Sequence, residues 1–376
     1  MTGVIDLAIG QPSLSLLPTD ALRTAADHCL SRRSPDLLQY GADQGEVEFR
    51  QSLANFLSRR YATPIDVDHL MVSASASQAL DLVCTRFSRR GDTIFVEEPT
   101  YFLALHVFGD HGLRVIGIPI DEDGIRMDAL QDALTRNRPA FLYTIPSFQN
   151  PSGTTMSAAR RAQLMTVCHQ HDVLVVADEV YHLLDFGTAP PLPLAAYAHS
   201  TPTQARVLSL GSFSKICAPA LRLGWIHGAP ALLDTLMTSG VVQSGGGLNP
   251  FASAVMRSML DLGLEDACLD HLRHVYAERS SVLCHALHEQ LPMARFIEPA
   301  GGYFVWLQLP PEIDASRMLP DAVAAGVTFQ PGSRFSTGDT LANWVRLSFA
   351  HYDAPELVEG VHRLARVLAR RGWAEQ

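Results

Sequence analysis

Residues 206–215 read RVLSLGSFSK, an apolar run of strand length that ends in a short polar turn. Similar runs recur along the chain, and several are nearly continuous stretches of Val, Ile, Leu and Phe. Such runs are typical of strands that are buried on both faces of a largely parallel sheet. The seven predicted strands are MVSAS (71–75), TIFVEEP (93–99), RVIGIPI (114–120), AFLYTIP (140–146), VLVVADE (173–179), RVLSLGS (206–212) and LGWIHG (223–228).

The segments between these strands, for example residues 77–88 and 157–171, have helical spacing. Alternation of strands and helices predicts an α/β domain with crossover helices. After about residue 285 the pattern changes to GGYFVWLQL, a helix-like DASRMLPDAVAAG, NWVRLSF and a C-terminal helix. We therefore predict a large domain over residues 41–285 and a smaller α+β domain formed by residues 1–40 and 286–376.

The composition of the 376 residues limits the possible functions. Apolar residues make up 47% and charged residues 18%, so the chain can bury a sizeable core. A net charge of −10 offers no basic face for nucleic acid, and no apolar run reaches the length of a membrane span. The N-terminus has an acid where a signal peptide would carry basic residues, so we expect no signal peptide. Six single cysteines without a CxxC pair argue against a disulfide framework and a structural zinc site. We expect a cytoplasmic protein that binds neither nucleic acid, membrane nor metal.

The basic residues show an unusual bias. Of the 29 lysines and arginines, 28 are arginine, and Lys215 is the single lysine. One interpretation is that Lys215 remained by chance while arginine replaced the other lysines. The other is chemical, because a lysine amine can lose its proton and attack a carbonyl, whereas a guanidinium stays protonated. The composition thus makes Schiff-base chemistry at Lys215 a reasonable hypothesis.

Polar side chains follow several of the predicted strands, at the edge where ligands bind in open α/β sheets. A single polar residue at a strand end usually belongs to a turn or a helix cap. Polar residues at several strand ends of the same sheet are therefore stronger evidence of a site than any one of them. No GxGxxG follows a strand, the only lysine lacks P-loop spacing, and no paired-histidine metal motif occurs. The polar residues at these strand ends are Ser75, Ser77, Tyr101, Asn150, Asp178, Ser212, Ser214 and Lys215.

Around these positions the sequence resembles the class I/II aminotransferases, the fold-type I family of enzymes that use pyridoxal 5'-phosphate (PLP). The resemblance runs over nearly the whole chain, and the order and spacing of its motifs agree throughout. It implies a large domain with a mainly parallel seven-stranded sheet flanked by helices, plus the smaller α+β domain. The matching segments are QYG (39–41), SASASQAL (73–80), EEPTY (97–101), QNPSG (149–153), DEVY (178–181), SFSK (212–215), RLGW (222–225), GGYFVW (301–306), PGSRF (331–335) and VRLSFA (345–350).

The resemblance implies roles for five residues around the ring of the cofactor. Lys215 would hold PLP as an internal aldimine and then shuttle the proton at the substrate Cα. Asp178 would face the pyridine nitrogen and keep it protonated. Its ordinary alternative is a helix cap after a strand. Asn150 and Tyr181 would hydrogen-bond the phenolic oxygen of the ring, and Tyr101 would stack on the ring face.

The family pattern also implies a set of phosphate-binding residues. Ser75, Ala76 and Ser77 begin a helix, where backbone amides and the helix dipole favour an anion. The loop departs from the usual Gly-Ser-Gln at Ala76 and Ser77, so backbone contacts survive there and a side-chain contact at Ala76 does not. Ser212, Ser214 and Arg222 would complete the phosphate site, and Tyr40 would reach it from a second subunit, which implies a homodimer.

The substrate is expected to be an α-amino acid, paired with a 2-oxo acid. Arg346 in VRLSFA resembles the arginine that binds the α-carboxylate, because a planar guanidinium matches a planar carboxylate. Without the family pattern, a surface ion pair would be the ordinary interpretation of an arginine on a strand. Asn150, the segment Gly10–Ser13 with Gly10 and Gln11, and the run of glycines at 245–247 are further candidates for the substrate pocket.

Three functions are compatible with this reasoning. The first is an aminotransferase that moves an amino group from an α-amino acid to a 2-oxo acid. The second is a PLP-dependent lyase, decarboxylase or oxidase on the same scaffold. The third is the ligand-sensing part of a transcription regulator, which would need a DNA-binding segment ahead of a chain that begins almost at once with the family N-terminus. We expect the aminotransferase.

Overall fold

A computed structural model describes residues 3–200, 206–245, 248–338 and 340–370. Its main feature is an eight-stranded sheet whose strands lie in the order β2-β9-β8-β7-β6-β3-β4-β5. The seven longer strands match the seven predicted from the sequence. The strand bounds are β2 Leu70–Ser73, β3 Thr93–Glu98, β4 Arg114–Asp121, β5 Gly124–Ile125, β6 Phe141–Thr144, β7 Leu174–Asp178, β8 Val207–Ser212 and β9 Gly224–Gly228.

The strands of this sheet are mainly parallel. Strands β4, β3, β6, β7 and β8 run in one direction, whereas β9 is antiparallel to both β8 and β2. The eighth strand, β5, was not predicted. It has only two residues and folds back on β4 through a tight turn at Asp123, whose neighbour Gly124 has φ +91°. A two-residue strand has too little pattern to be detected in a sequence.

Both faces of the sheet are covered, which explains the continuous apolar runs. Neighbouring residues of one strand enter different hydrophobic clusters: Phe95 and Val175 pack on one face, and Ile94 and Val176 pack on the other. The helices that accompany the sheet are α2 Val47–Tyr61, α3 Ala76–Phe87, α4 Phe102–Asp110, α5 Met127–Arg136, α6 Ala158–Gln170, α7 Leu194–Ser200, α8 Phe213–Ile216, α9 Pro230–Met237, α10 Gly240–Gly245 and α11 Pro250–Asp261.

The C-terminal part of the chain packs with the N-terminal segment. Strand β1 (Ile5–Asp6) pairs with β11 (Val327–Thr328), and a three-stranded sheet has the order β10-β13-β12. The predicted domain boundary at 285 falls inside the long helix α12, so the division into two domains stays a prediction. The remaining elements are α1 Thr19–Ser31, α12 Leu264–Gln290, β10 Phe304–Gln308, α13 Ala315–Ala324, β12 Gln330–Pro331, β13 Trp344–Ser348 and α14 Ala354–Arg370.

Within the described ranges, we find no helix whose length and apolar character would let it traverse a lipid bilayer.

Candidate active site

A cavity of about 330 Å³ lies where the loops after β2, β3, β6, β7 and β8 meet. This is the carboxyl edge of the parallel strands, where ligands of open α/β sheets bind. Most of the residues predicted from the sequence line this one cavity. They are Gln11, Ser75, Ala76, Ser77, Tyr101, Asn150, Asp178, Tyr181, Ser212, Ser214, Lys215 and Arg222.

Lys215 lies in the short helix α8, directly after β8. Its Nζ donates a hydrogen bond to the carbonyl oxygen of Gly10 at 3.0 Å, and the hydroxyl of Tyr303 donates to the Lys215 carbonyl at 2.9 Å. Burial, with a contribution from the charge of Arg346, lowers the pKa of the Lys215 amine to about 8, although Asp178 opposes that shift. The neutral, nucleophilic amine is therefore accessible close to neutral pH.

Asp178 ends β7, and no helix follows it directly, so it is not a helix cap. Its Oδ2 accepts a hydrogen bond from the hydroxyl of Tyr143 at 2.7 Å, whereas its Oδ1 is buried and accepts no hydrogen bond of ordinary geometry. Burial raises the pKa of Asp178, while the bond from Tyr143 and the positive charge of Lys215 lower it. One carboxylate oxygen is thus left for a donor in the cavity.

The start of α3 forms the end of the cavity that suits an anion. Ser75 precedes the helix with φ +96°, and the first helical residues leave backbone amides without a partner inside the helix. Arg222 Nη2 donates to Ser75 Oγ at 2.6 Å, and Arg222 Nη1 lies 3.5 Å from Ser214 Oγ. The backbone amide of Ser214 donates to Ser212 Oγ at 3.1 Å. A full positive charge therefore lies beside a helix N-terminus and three hydroxyls.

Arg346 reaches the site from β13, a strand of the smaller sheet. Its Nη1 donates to Asn150 Oδ1 and its Nη2 donates to the carbonyl of Ala8, both at 2.9 Å. The guanidinium lies 3.9 Å from the ring centroid of Phe304, and burial lowers its pKa to about 10. Arg346 remains a cation at neutral pH, and its orientation is fixed from two sides.

Gly10 contributes its main chain to the site. Besides accepting the bond from Lys215, it lies so close to Phe304 that a Cβ at this position would be 3.1 Å from the ring. A side chain at this position would require the Phe304 ring to shift by a few tenths of an ångström, so glycine suits this close approach. Of the other predicted residues, Tyr40 is 77% exposed and lies outside the cavity of its own chain, and positions 246 and 247 are outside the described residues.

The model of the family "Aminotransferase class I and II" matches residues 2–364 of this chain. The chain belongs to this aminotransferase family. The mainly parallel seven-stranded sheet flanked by helices that the sequence predicts is the fold of its neighbours among solved structures, the fold-type I aminotransferases.

Two curated relatives and one solved structure indicate how close the similarity is. The chain is 33% identical to an aromatic-amino-acid aminotransferase of Thermococcus litoralis, over 97% of this chain and 88% of the relative. It is 32% identical to a 2-aminoadipate transaminase of Thermus thermophilus, over 97% and 90%. A kynurenine aminotransferase of Pyrococcus horikoshii, solved with PMP, superposes with a TM-score of 0.91 at 32% identity, over 99% of this chain and 92% of that one.

As a member of the aminotransferase family, the chain is a PLP-dependent transferase of amino groups. The residues of the cavity fit the cofactor chemically. PLP needs an amine for its aldehyde, an acid for its pyridine nitrogen and donors for its phosphate. The cavity offers the buried amine of Lys215, the unpartnered Oδ1 of Asp178, and the N-terminus of α3 with Arg222.

Sequence reasoning missed several residues that support the site. Tyr143 belongs to an apolar strand and lies outside the family motifs, although a hydroxyl on a buried strand requires a partner and is in itself a signal. Phe304 and Tyr303 lie within the GGYFVW motif, yet their contacts with Arg346 and Lys215 depend on how the two sheets meet. The carbonyl of Ala8 left no signal in the sequence.

Proposed function

We propose that this aminotransferase moves the amino group of an α-amino acid to a 2-oxo acid, with Lys215 as the residue that carries PLP. The observation that carries the proposal is the meeting of Lys215, Asp178 and Asn150 in one cavity, with the guanidinium of Arg346 bonded to Asn150. Bound PLP supplies an aldehyde and an electron-accepting ring.

Lys215 acts twice in this scheme. With a pKa of about 8 it can present a neutral amine to the cofactor, and the free amine could later take the proton from the substrate Cα. Asp178 would hold the pyridine nitrogen protonated through Oδ1. Asn150 Nδ2 and the Tyr181 hydroxyl would donate to the phenolic oxygen, and Tyr101 would cover one face of the ring.

The phosphate of PLP is assigned to the anion-binding end of the cavity. The amides at the start of α3 and the guanidinium of Arg222 provide the main attraction, and hydroxyls add further donors. The local positive charge is needed because the chain as a whole carries a net charge of −10. The hydroxyl donors of this assignment are those of Ser75, Ser77, Ser212 and Ser214.

Arg346 is assigned to the α-carboxylate of the substrate, with Asn150, Gly10 and Gln11 beside it. Because Asn150 and the Ala8 carbonyl fix the guanidinium, the carboxylate is held in one orientation. A fixed carboxylate would also fix which bond of the substrate Cα is presented to PLP. We prefer an aminotransferase to a decarboxylase because the relatives of the chain are named for transfer of amino groups.

The experiment that tests this function mixes the PLP-loaded protein with single amino acids and records the absorbance of the cofactor. Conversion of PLP to its amine form, reversed by a 2-oxo acid, is the expected result. The panel contains aromatic, acidic and aliphatic amino acids, since relatives are named for aromatic amino acids and 2-aminoadipate. Release of CO₂, ammonia or peroxide without the amine form would instead identify a decarboxylase, lyase or oxidase.

We further propose a homodimer in which Tyr40 donates to the phosphate in the site of the partner. Support comes from exposed apolar side chains at Leu38 (79%), Tyr40 (77%) and Val47 (52%), and at Leu103 (44%), which also lines the cavity. A second copy of the chain would cover this surface.

Subunit mixing distinguishes Tyr40 acting across the dimer from Tyr40 acting in its own chain. Lys215→Ala and Tyr40→Ala are each expected to have low activity. A heterodimer of the two has one site with both residues intact only if Tyr40 crosses the interface, so mixing should restore activity. No gain on mixing, with heterodimers verified by tagged co-purification, would contradict the assignment of Tyr40.

A further inference from the structure

We propose that Tyr143 is a positioning residue of the cofactor site, which fixes Asp178 so that Oδ1 alone is presented to the pyridine nitrogen. The inference rests on the proposed role of Asp178 and adds a residue to it that no motif pointed to. It is carried by one buried hydrogen bond, by the packing of the Tyr143 ring and by the unequal surroundings of the two carboxylate oxygens of Asp178.

The register of two parallel strands brings Tyr143 and Asp178 together. Tyr143 on β6 pairs with Val176 on β7, and Asp178 projects from the same face two residues further on. The Tyr143 hydroxyl donates to Asp178 Oδ2 at 2.7 Å. Tyr143 is completely buried, and its ring packs edge-on against Phe108 with centroids 5.4 Å apart. The position of the hydroxyl is therefore set by the sheet and the core.

The two oxygens of Asp178 differ in what they can do. Oδ2 is engaged by Tyr143, whereas Oδ1 is buried and accepts no hydrogen bond of ordinary geometry. A buried carboxylate oxygen without a donor is costly, so a ligand that brings a donor is favoured at this point. Without the Tyr143 hydroxyl, the carboxylate would keep only the smaller influence of the Val180 amide against rotation about its Cβ–Cγ bond.

The same hydrogen bond favours the charged form of Asp178. Burial raises the pKa of this carboxyl, and the bond from Tyr143 is the foremost influence that opposes the rise, followed by a backbone amide and Lys215. Burial raises the pKa of the nearby carboxyls of Glu97 and Glu179, and the charge of Asp178 raises both further. The other titratable groups that face Asp178 are Tyr101, Tyr181 and Lys215.

A role through Asp178 and a merely structural role predict different results in a double-mutant cycle. The variants are Tyr143→Phe, Asp178→Asn and the two combined. Tyr143→Phe keeps the ring and its contact with Phe108 and removes only the hydroxyl. Tyr352→Phe is the matched control, since it removes a hydroxyl that accepts from the Asp6 amide outside the cavity.

Three quantities are measured: the dissociation constant of PLP, the pH dependence of the absorbance of bound cofactor, and the rate of its conversion by an amino acid. In the parent background, Tyr143→Phe should weaken PLP binding about 10-fold and slow conversion about 10- to 100-fold, the worth of a hydrogen bond to a charged group. It should also shift the pH midpoint of the absorbance. In the Asp178→Asn background, Tyr143→Phe should change PLP affinity and the conversion rate by less than about threefold.

The proposal would be overturned if Tyr143→Phe reduced PLP affinity and the conversion rate equally in both backgrounds. It would also be overturned if Tyr143→Phe reduced neither in the parent. If Tyr143→Phe alone does not fold, the variant that combines it with Asp178→Asn becomes the test. This double variant lacks the buried charge of Asp178 and should therefore fold. A double variant that is as unstable as Tyr143→Phe would overturn the proposal. The binding and absorbance measurements do not depend on amino transfer. A parent that binds PLP without converting it would therefore refute the proposed function and leave this test intact.

Discussion

Replacing Arg222 by alanine should weaken the binding of PLP and leave the folded protein nearly as stable as before. The guanidinium of Arg222 donates to Ser75 Oγ at the start of α3 and to the carbonyl of Pro219. A phosphate at this point would gain hydrogen bonds from a charged donor, each worth about 1.5–3 kcal/mol. The bonds that Arg222 makes within the protein are partly exposed, so their loss should cost only about 0.5 kcal/mol of folding free energy.

The expected loss of PLP affinity depends on how exposed the Arg222 side chain is. Arg222 is an exposed residue, and solvent screens part of its attraction for the phosphate. We therefore expect a loss of about 2 kcal/mol, which is roughly a 30-fold increase in the dissociation constant of PLP. Pyridoxal, which lacks the phosphate, should bind the variant and the parent with the same affinity.

The assay titrates apoenzyme with PLP and with pyridoxal and follows the absorbance of the bound cofactor. Arg86→Ala is the matched control, because it removes the same charge from the far end of α3, where Arg86 contacts the carbonyl of Thr235. An equal loss of affinity for PLP and pyridoxal in Arg222→Ala would refute the assignment of the phosphate to Arg222. An equal loss in Arg86→Ala would mean that net charge alone controls binding.

Three further outcomes are expected at the other cations of the site. Lys215→Arg should fold and yet form no covalent bond with PLP. Borohydride reduction followed by peptide mapping checks this, and PLP fixed to any residue other than Lys215 contradicts the assignment. Arg346→Lys should raise the KM for the amino acid about 10- to 100-fold, because the bidentate fork is lost, and an unchanged KM would exclude this carboxylate site. Burial lowers the pKa of Lys215 to about 8, so its amine is neutral above that pH. The rate at which the apoenzyme captures PLP should therefore rise through about pH 8 and level off, and a rate that falls with pH is incompatible with this amine as nucleophile.

The sequence predicts the strands of the main sheet well because their signal is local. Each buried strand, such as β7 at Leu174–Asp178, is apolar in itself and is bounded by polar turns. The polar residues that follow these strands were expected to share one edge, and they line one cavity. The two-residue strand β5 could not be predicted in this way, because its pairing depends on the turn at Gly124 rather than on any pattern of its own.

The supporting contacts of the site could not be predicted, because they depend on register and on packing between sheets. The bond from Tyr143 to Asp178 requires knowing that β6 and β7 are adjacent and how they align. Glu97 is a second case. Its buried carboxylate accepts from the amide of Ile145 at 3.0 Å and from Gln149 Nε2 at 3.1 Å, and so ties the end of β3 to the loop that carries Asn150. Nothing in the EEPTY motif indicates which of its two glutamates does this.

The charges of the site favour anionic ligands. In a chain with a net charge of −10, the cations Lys215, Arg222 and Arg346 converge on one crevice, and burial lowers the pKa of Lys215 and of Arg346. Keeping Lys215 and Arg346 charged there costs free energy, and Asp178 offsets only part of the cost at Lys215. In the proposed function, a phosphate beside Arg222 and a carboxylate on Arg346 would supply the missing negative charge. Ligands of this kind that bind only the folded state would also stabilise it, so the same concentration of positive charge would select both the cofactor and the substrate.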